Sequence, residues 1–145
     1  MLAVSGSLDA TMYGPGTLDE GHKRRSIYFM VKRSRLIPMM QLFDSPEPLV
    51  SVGERPSTTI APQALMFLNN PNVRSYAQNF GKRLLPVAEK SLAEAVRQGY
   101  LSAVGRLPTD AEQAETIAFV EQQTASYQAA GKPNARELAL ADFAQ

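Results

Sequence analysis

A chain of 145 residues with 44% hydrophobic and 20% charged residues has the composition and length of one globular domain, able to bury roughly 70% of its exposable surface. It has no cysteine and a single histidine, His22, which excludes disulfides, thiolate metal sites, covalent c-type haem attachment and a cysteine nucleophile within these residues. The net charge of +1 conceals an uneven distribution: residues 1–85 carry ten Lys/Arg against six Asp/Glu, residues 86–145 five against eight. No apolar run approaches the roughly 20 residues of a membrane span, and Met1–Gly6 lacks the basic and apolar regions of a signal peptide.

Leu2–Val4 reads as the tail of a helix. Ser5–Arg25, rich in Gly, Ser, Thr and Asp and carrying a Gly14-Pro15-Gly16 turn, reads as a loop. Ile27–Val31 is apolar at every position and is expected to be buried. Its β-branched and aromatic content favours a short strand, with one helical turn as the alternative. Pro38 opens a short helix over Met39–Phe43, which the prolines of Asp44-Ser45-Pro46-Glu47-Pro48 end.

From Pro62 the helical signals strengthen. Pro62 suits a first helical turn, and Ala64, Leu65, Phe67 and Leu68 supply an apolar surface. Asn70 is placed to cap a helix from Pro71 to about Leu85. Ser91 with Glu94, Thr109 with Glu112 and Asn134 with Glu137 are capping-box patterns opening three more helices, the first stopping near Gly105. Ile117, Val120 and Tyr127 recur on one face of the second. In the third, Leu138, Leu140, Ala141 and Phe143 build an apolar face that reads as interrupted at Gln145, and a continuation is expected to cover Ile117, Val120 and Tyr127. The fold class is therefore mainly α: one domain over 1–145, loop-rich over 1–61 with a strand or turn at 27–31, then a helical bundle over 62–145, the whole a fragment of a larger protein.

Two groups of residues merit a functional reading. Lys23, Arg24, Arg25, Lys32, Arg33 and Arg35 surround Tyr28-Phe29, in a stretch without an acid from Gly21 to Phe43. They could grip an acidic polymer with rings available for stacking. The favoured reading is an apolar element flanked by solvated or ion-paired cations, because phosphate readers carry a larger basic surplus; no nucleic acid partner is expected. Asp44, Arg55, Thr58, Thr59, Gln63, Asn69 and Asn70 stand around prolines, where the backbone leaves regular structure and takes side-chain partners. A polar ligand could use these groups, but they are also the residue types that cap loops and helix starts, which is the favoured reading. His22 has Ser5, Ser7 and Asp9 upstream, yet no nucleophile elbow accompanies them, and no catalytic residue or metal-ligand spacing emerges.

The ordered set Leu-Ala-Val-Ser-Gly (2–6), Arg-Arg-Ser-Ile-Tyr (24–28), Leu-Phe-Asp-Ser-Pro-Glu-Pro (42–48), Thr-Thr-Ile-Ala-Pro-Gln-Ala-Leu (58–65), Leu-Asn-Asn-Pro (68–71) and Ala-Val-Gly-Arg-Leu-Pro-Thr-Asp-Ala-Glu (103–112) resembles the planctomycete cytochrome-associated C-terminal domain of unknown function. The resemblance covers nearly the whole chain. It implies an exported, extracytoplasmic protein, with a signal peptide, a cytochrome-c-like domain and a second planctomycete-type domain upstream, in some members with a carbohydrate-binding-like module. Haem is then expected only in that upstream domain, with no cofactor in this chain. The partners implied are the upstream domains themselves and an exported partner protein. Members of that family continue beyond the helix at 138–143, and the resemblance carries no catalytic residues. The function expected is a non-catalytic docking or scaffolding module; the rivals are the ligand-binding part of an extracytoplasmic oxidative or polysaccharide-processing enzyme, and acidic-polymer binding through Lys23–Arg35.

Overall fold

The computed structural model describes residues 1–54 and 56–145. It is mainly helical, and the described residues form seven α-helices and no sheet: α1 (Leu2–Ser5), α2 (Pro38–Leu42), α3 (Ala61–Asn69), α4 (Pro71–Ala88), α5 (Leu92–Val104), α6 (Asp110–Ala129) and α7 (Ala135–Ala144). Two compact units divide the chain, Met1–Ser7 with Pro71–Gln145, and Leu8–Asn70. The division at Asn70–Pro71 comes later than the change of sequence character at 61–62, so α3 belongs with the loop-rich unit.

In the helical unit α7 packs on both α4 and α6, while α5 packs on α4 and α6 and α1 on α4. Phe80, Leu84 and Ala88 of α4, Ala95 of α5, Val120 of α6 and Ala139 and Leu140 of α7 form the core. Leu140 is fully buried, a burial that contributes about 1.5–3 kcal/mol. Of the Ile117–Val120–Tyr127 face, α7 itself already packs over Val120, which is only 1% exposed, while Ile117 stays half-buried. Tyr127 and Phe143 pack against the same core.

Small residues set the helix separation. A Cβ on Gly81 of α4 would lie 2.8 Å from the Ala141 nitrogen and 3.1 Å from the Leu140 carbonyl carbon, so α4 and α7 meet backbone to backbone there. On α5, a Cβ on Gly99 would meet the Phe143 ring at 2.8 Å. Helix ends follow the sequence in part. Thr109 Oγ1 accepts from the Glu112 N–H at 3.3 Å, and Glu112 accepts from the Thr109 N–H at 2.8 Å, a complete capping box. Ser91 accepts from the Glu94 N–H, giving half of one. Gly105 closes α5 with φ 73°, a left-handed conformation that glycine adopts without a Cβ clash.

Two helix boundaries differ from expectation. Asn134 makes no side-chain cap, and Glu137 instead faces Lys82 of α4 at 3.8 Å. Helix α4 runs to Ala88, past the expected end near Leu85, with Pro86 inside it. Pro86 falls in the last turn, where its missing N–H leaves only the Lys82 carbonyl without its usual helical donor. The Ala88 carbonyl at the α4 terminus accepts instead from Arg136 at 2.9 Å.

In the loop-rich unit Ile37 is the most buried apolar residue. The expectation that Ile27–Val31 is buried is overturned: Ile27 is 82% and Val31 77% exposed. The segment is a 3₁₀ turn, Ser26–Tyr28, followed by a one-residue bridge of Phe29 to Thr17. The run passes from turn to extended backbone at Phe29, so its five apolar residues share no single face to bury.

Candidate functional site

Asp44, just beyond the Phe43 cap of α2, sits at φ 59°, a backbone conformation that aspartate tolerates better than most residues. That turn brings its carboxylate to Thr58, whose N–H donates to Oδ2 at 2.7 Å and whose hydroxyl donates to Oδ1 at 2.8 Å. Gln63, in the first turn of α3, donates its amide to the carbonyls of Leu42 at 2.9 Å and Thr58 at 3.2 Å, and accepts from the Ile60 N–H at 3.3 Å. Asp44, Thr58 and Gln63 thus fasten the end of α2 to the start of α3. They also line an open recess of about 440 Å³ with Phe43, Pro56 and Ser57.

The other expected members of this cluster are placed differently. Asn69 bonds back to the Leu65 carbonyl of its own helix at 3.0 Å. Asn70 closes α3 through its N–H to the Met66 carbonyl. Its extended backbone, φ −76° and ψ 123°, is what a residue before proline requires. Thr59 is exposed beside the Asp44–Thr58 fastening. Arg55 lies outside the described residues.

The basic residues do not act as one patch. Arg24 lies over the Tyr28 ring, 3.5 Å from its centroid, and donates to the carbonyls of Thr11, at 3.0 Å, and Tyr13. The Tyr28 hydroxyl in turn accepts from the Tyr13 N–H at 2.8 Å. Arg24 is therefore a clamp for the loop. Lys32 and Arg35 face each other across a tight turn closed by the Arg35 N–H on the Lys32 carbonyl at 3.0 Å. Lys23, Arg25 and Arg33 are exposed. Among the described residues none of the six forms an ion pair.

His22 packs edge-on to Phe29, with ring centroids 6.1 Å apart. Ser5 donates to the Leu2 carbonyl, Ser7 accepts from Asn79, and hydrogen bonds from Thr11 hold the Asp9 carboxyl below its usual range. Ser5, Ser7 and Asp9 are thus each engaged with groups other than His22. Among the described residues no group of three or more His, Asp or Glu could hold a metal, and no helix is long and apolar enough to cross a membrane.

A second concavity, of about 200 Å³, went unrecognised in the sequence. Phe29, Met30, Ile37 and Met40 line it, with Lys32 and Arg35 among them. The signal available was the pairing of two apolar runs, 27–31 and 36–40, on either side of a basic turn; read separately, the first suggested core and the second only a short helix over Met39–Phe43.

No match to the chain was found among curated proteins or among solved structures. The model of one family matches residues 1–120: the chain belongs to the PSD1 family of proteins of unknown function (DUF1553).

Proposed function

We propose that the chain is a non-catalytic docking or scaffolding module of an exported, cytochrome-c-associated protein, with haem confined to an upstream domain and an extracytoplasmic working location. The observation that carries this reading is the apolar face of α3 on which Leu65 and Leu68, three residues apart, are 55% and 65% exposed. Exposed large apolar side chains clustered on one short helix are characteristic of surfaces that meet another protein. The polar cluster beside α3 supports it from the other side. Both Asp44 oxygens and the Gln63 amide are committed to joining α2 to α3, which makes them a rigid mount for that helix.

The occupant proposed is the cytochrome-bearing part of the same protein. The test is association of the purified chain with that part, expressed separately and followed by calorimetry. Leu65→Ser with Leu68→Ser should weaken association at least about tenfold while leaving the circular dichroism unchanged. Absence of association by the unaltered chain, or an upstream reading frame without a signal peptide and Cys-x-x-Cys-His, would remove the proposal. The polar recess at Asp44, Ser57, Thr58 and Gln63 favours the second reading, a ligand-binding part of an oxidative or polysaccharide-processing enzyme. Saccharide-induced NMR shifts confined to those residues would select it.

A further inference from the structure

We infer that the cleft between Ser26–Arg35 and Leu36–Pro48 is a binding site for a small amphipathic carboxylate: one aromatic ring or a short alkyl chain bearing an acid group. Its volume of about 200 Å³ exceeds the roughly 150 Å³ that accommodates benzene in a protein interior. It is smaller than the roughly 300–1,000 Å³ of drug-sized sites. A single ring or a chain of a few carbons is the size of guest that fits.

The lining sets the chemistry. Phe29, Met30, Ile37 and Met40 provide apolar walls, and the two methionines can adjust to guests of different outline. Ile37, only 7% exposed, belongs to the buried part, whereas Met30 is 47% exposed and Ile27 82%. Seating an apolar guest would withdraw that surface from water. Lys32 and Arg35 also line the cleft, and no Asp or Glu does. The tight turn that bridges Lys32 to Arg35 brings these two lining residues side by side, and neither is ion-paired within the described residues. The complementary guest therefore has an anionic head at that turn, where guanidinium geometry matches a carboxylate, and an apolar body running inward. This site is separate from α3 and does not depend on the docking proposal.

The test is an NMR and calorimetric titration of the full 145-residue chain with 3-phenylpropionate and with pentanoate, each compared with its neutral primary amide. The expected result is that each acid binds at least about tenfold more tightly than its amide, that the preference shrinks as salt screens the turn, and that shifts map to Phe29, Met30, Ile37 and Met40. Lys32→Gln with Arg35→Gln should abolish the acid preference while weak amide binding persists, and Arg35→Lys should keep part of it. Met30→Ser should weaken acid and amide alike, with the amide dispersion of the spectrum reporting that the fold is intact. Equal affinity for acid and amide overturns the inference, as does no binding of either acid. So does a heparin oligosaccharide that binds the Lys32–Arg35 turn where neither small acid does.

Discussion

Tyr127 of α6 donates its phenolic hydrogen to Asp142 of α7 at 2.8 Å, and the other carboxylate oxygen of Asp142 is held by Arg74 of α4 at 2.7 Å. One aspartate therefore joins three of the four helices that form the core, α4, α6 and α7. Arg74 also donates to Gln145 at 2.9 Å, fixing the end of the chain against α4. The helical unit is closed by this polar clasp outside and by Leu140 against Val120 within.

Tyr127→Phe should lower stability by about 1–2 kcal/mol, the range for a lost hydrogen bond to a charged acceptor that keeps another partner. It should also remove an alkaline dependence. The hydrogen bond to Asp142, followed by burial, raises the Tyr127 hydroxyl above its ordinary value of 10.0. A raised value means the folded state holds the proton more tightly. The contribution is complete below pH 10 and is lost as pH rises through the folded value. Urea unfolding across that range should show the native chain weakening and the variant lacking this component.

Glu112 works in the opposite direction. Hydrogen bonds from Arg106, at 2.8 and 2.7 Å, and then from the Thr109 N–H, lower its carboxyl from 4.5 to about 2. The ionised form is the one the fold favours. Its contribution is present above the ordinary value and is lost as pH falls from there toward about 2. Glu112→Gln should flatten this part of the acid limb of stability, monitored by thermal melts at successive pH values, while the rest of the acid dependence persists.

Gly81→Ala tests the backbone contact between α4 and α7. Alanine is the better helix former by about 1 kcal/mol, so an open site would gain stability. The added carbon would instead meet the Ala141 nitrogen at 2.8 Å, and overpacking against backbone costs about 1–3 kcal/mol. A net loss is expected, read as a lower melting temperature. Gly53, with nothing within 4 Å of its virtual Cβ, serves as the neutral control.

The helices were legible because their signals are local. Thr109 and Glu112 sit three residues apart, Gly105 stops α5, and Leu138, Leu140 and Phe143 read as an apolar helix whatever their partner. What covers that helix was not legible, since Gly81 opposite Ala141 and Asp142 opposite Tyr127 and Arg74 are pairings across long stretches of chain. A lone glycine in α4 gives no clue to the helix it admits. The Ile27–Val31 run misled for a related reason: hydrophobicity measures a preference for burial, and whether the chain supplies a partner depends on topology. Of the polar cluster, Asp44, Thr58 and Gln63 came together because prolines and a left-handed turn fold the chain back on itself; Asn69, on the same short helix as Gln63, bonds within it.

Thr58 and Thr59 separate fastening from ornament. Thr58→Ala removes a hydroxyl donated to Asp44 at 2.8 Å and should lower stability by about 0.5–1.5 kcal/mol. Thr59→Ala, at an exposed neighbouring position, should change it by less than about 0.5 kcal/mol. Equal effects of the two substitutions on the melting temperature would show that the Asp44–Thr58 pair does not hold α2 to α3.

The Arg24 clamp yields the most local expectation. Its guanidinium covers the Tyr28 ring and donates to the Thr11 and Tyr13 carbonyls, while Tyr28 accepts from the Tyr13 N–H. Tyr13 sits at φ 68°, a conformation that a bulky residue adopts only when its surroundings hold it there. A lysine at position 24 keeps the charge but loses the planar fork that reaches two carbonyls while stacking on a ring. Arg24→Lys should therefore free the loop without altering net charge. The Tyr13 amide should exchange with deuterium about tenfold faster, equivalent to about 1.4 kcal/mol. The Leu140 and Val120 amides, in the helical unit, should keep their rates. Arg33→Lys, at an exposed position of the same basic stretch, should leave Tyr13 unchanged. If Arg24→Lys and Arg33→Lys have the same effect, the stretch acts through its charge alone and Arg24 is not a clamp.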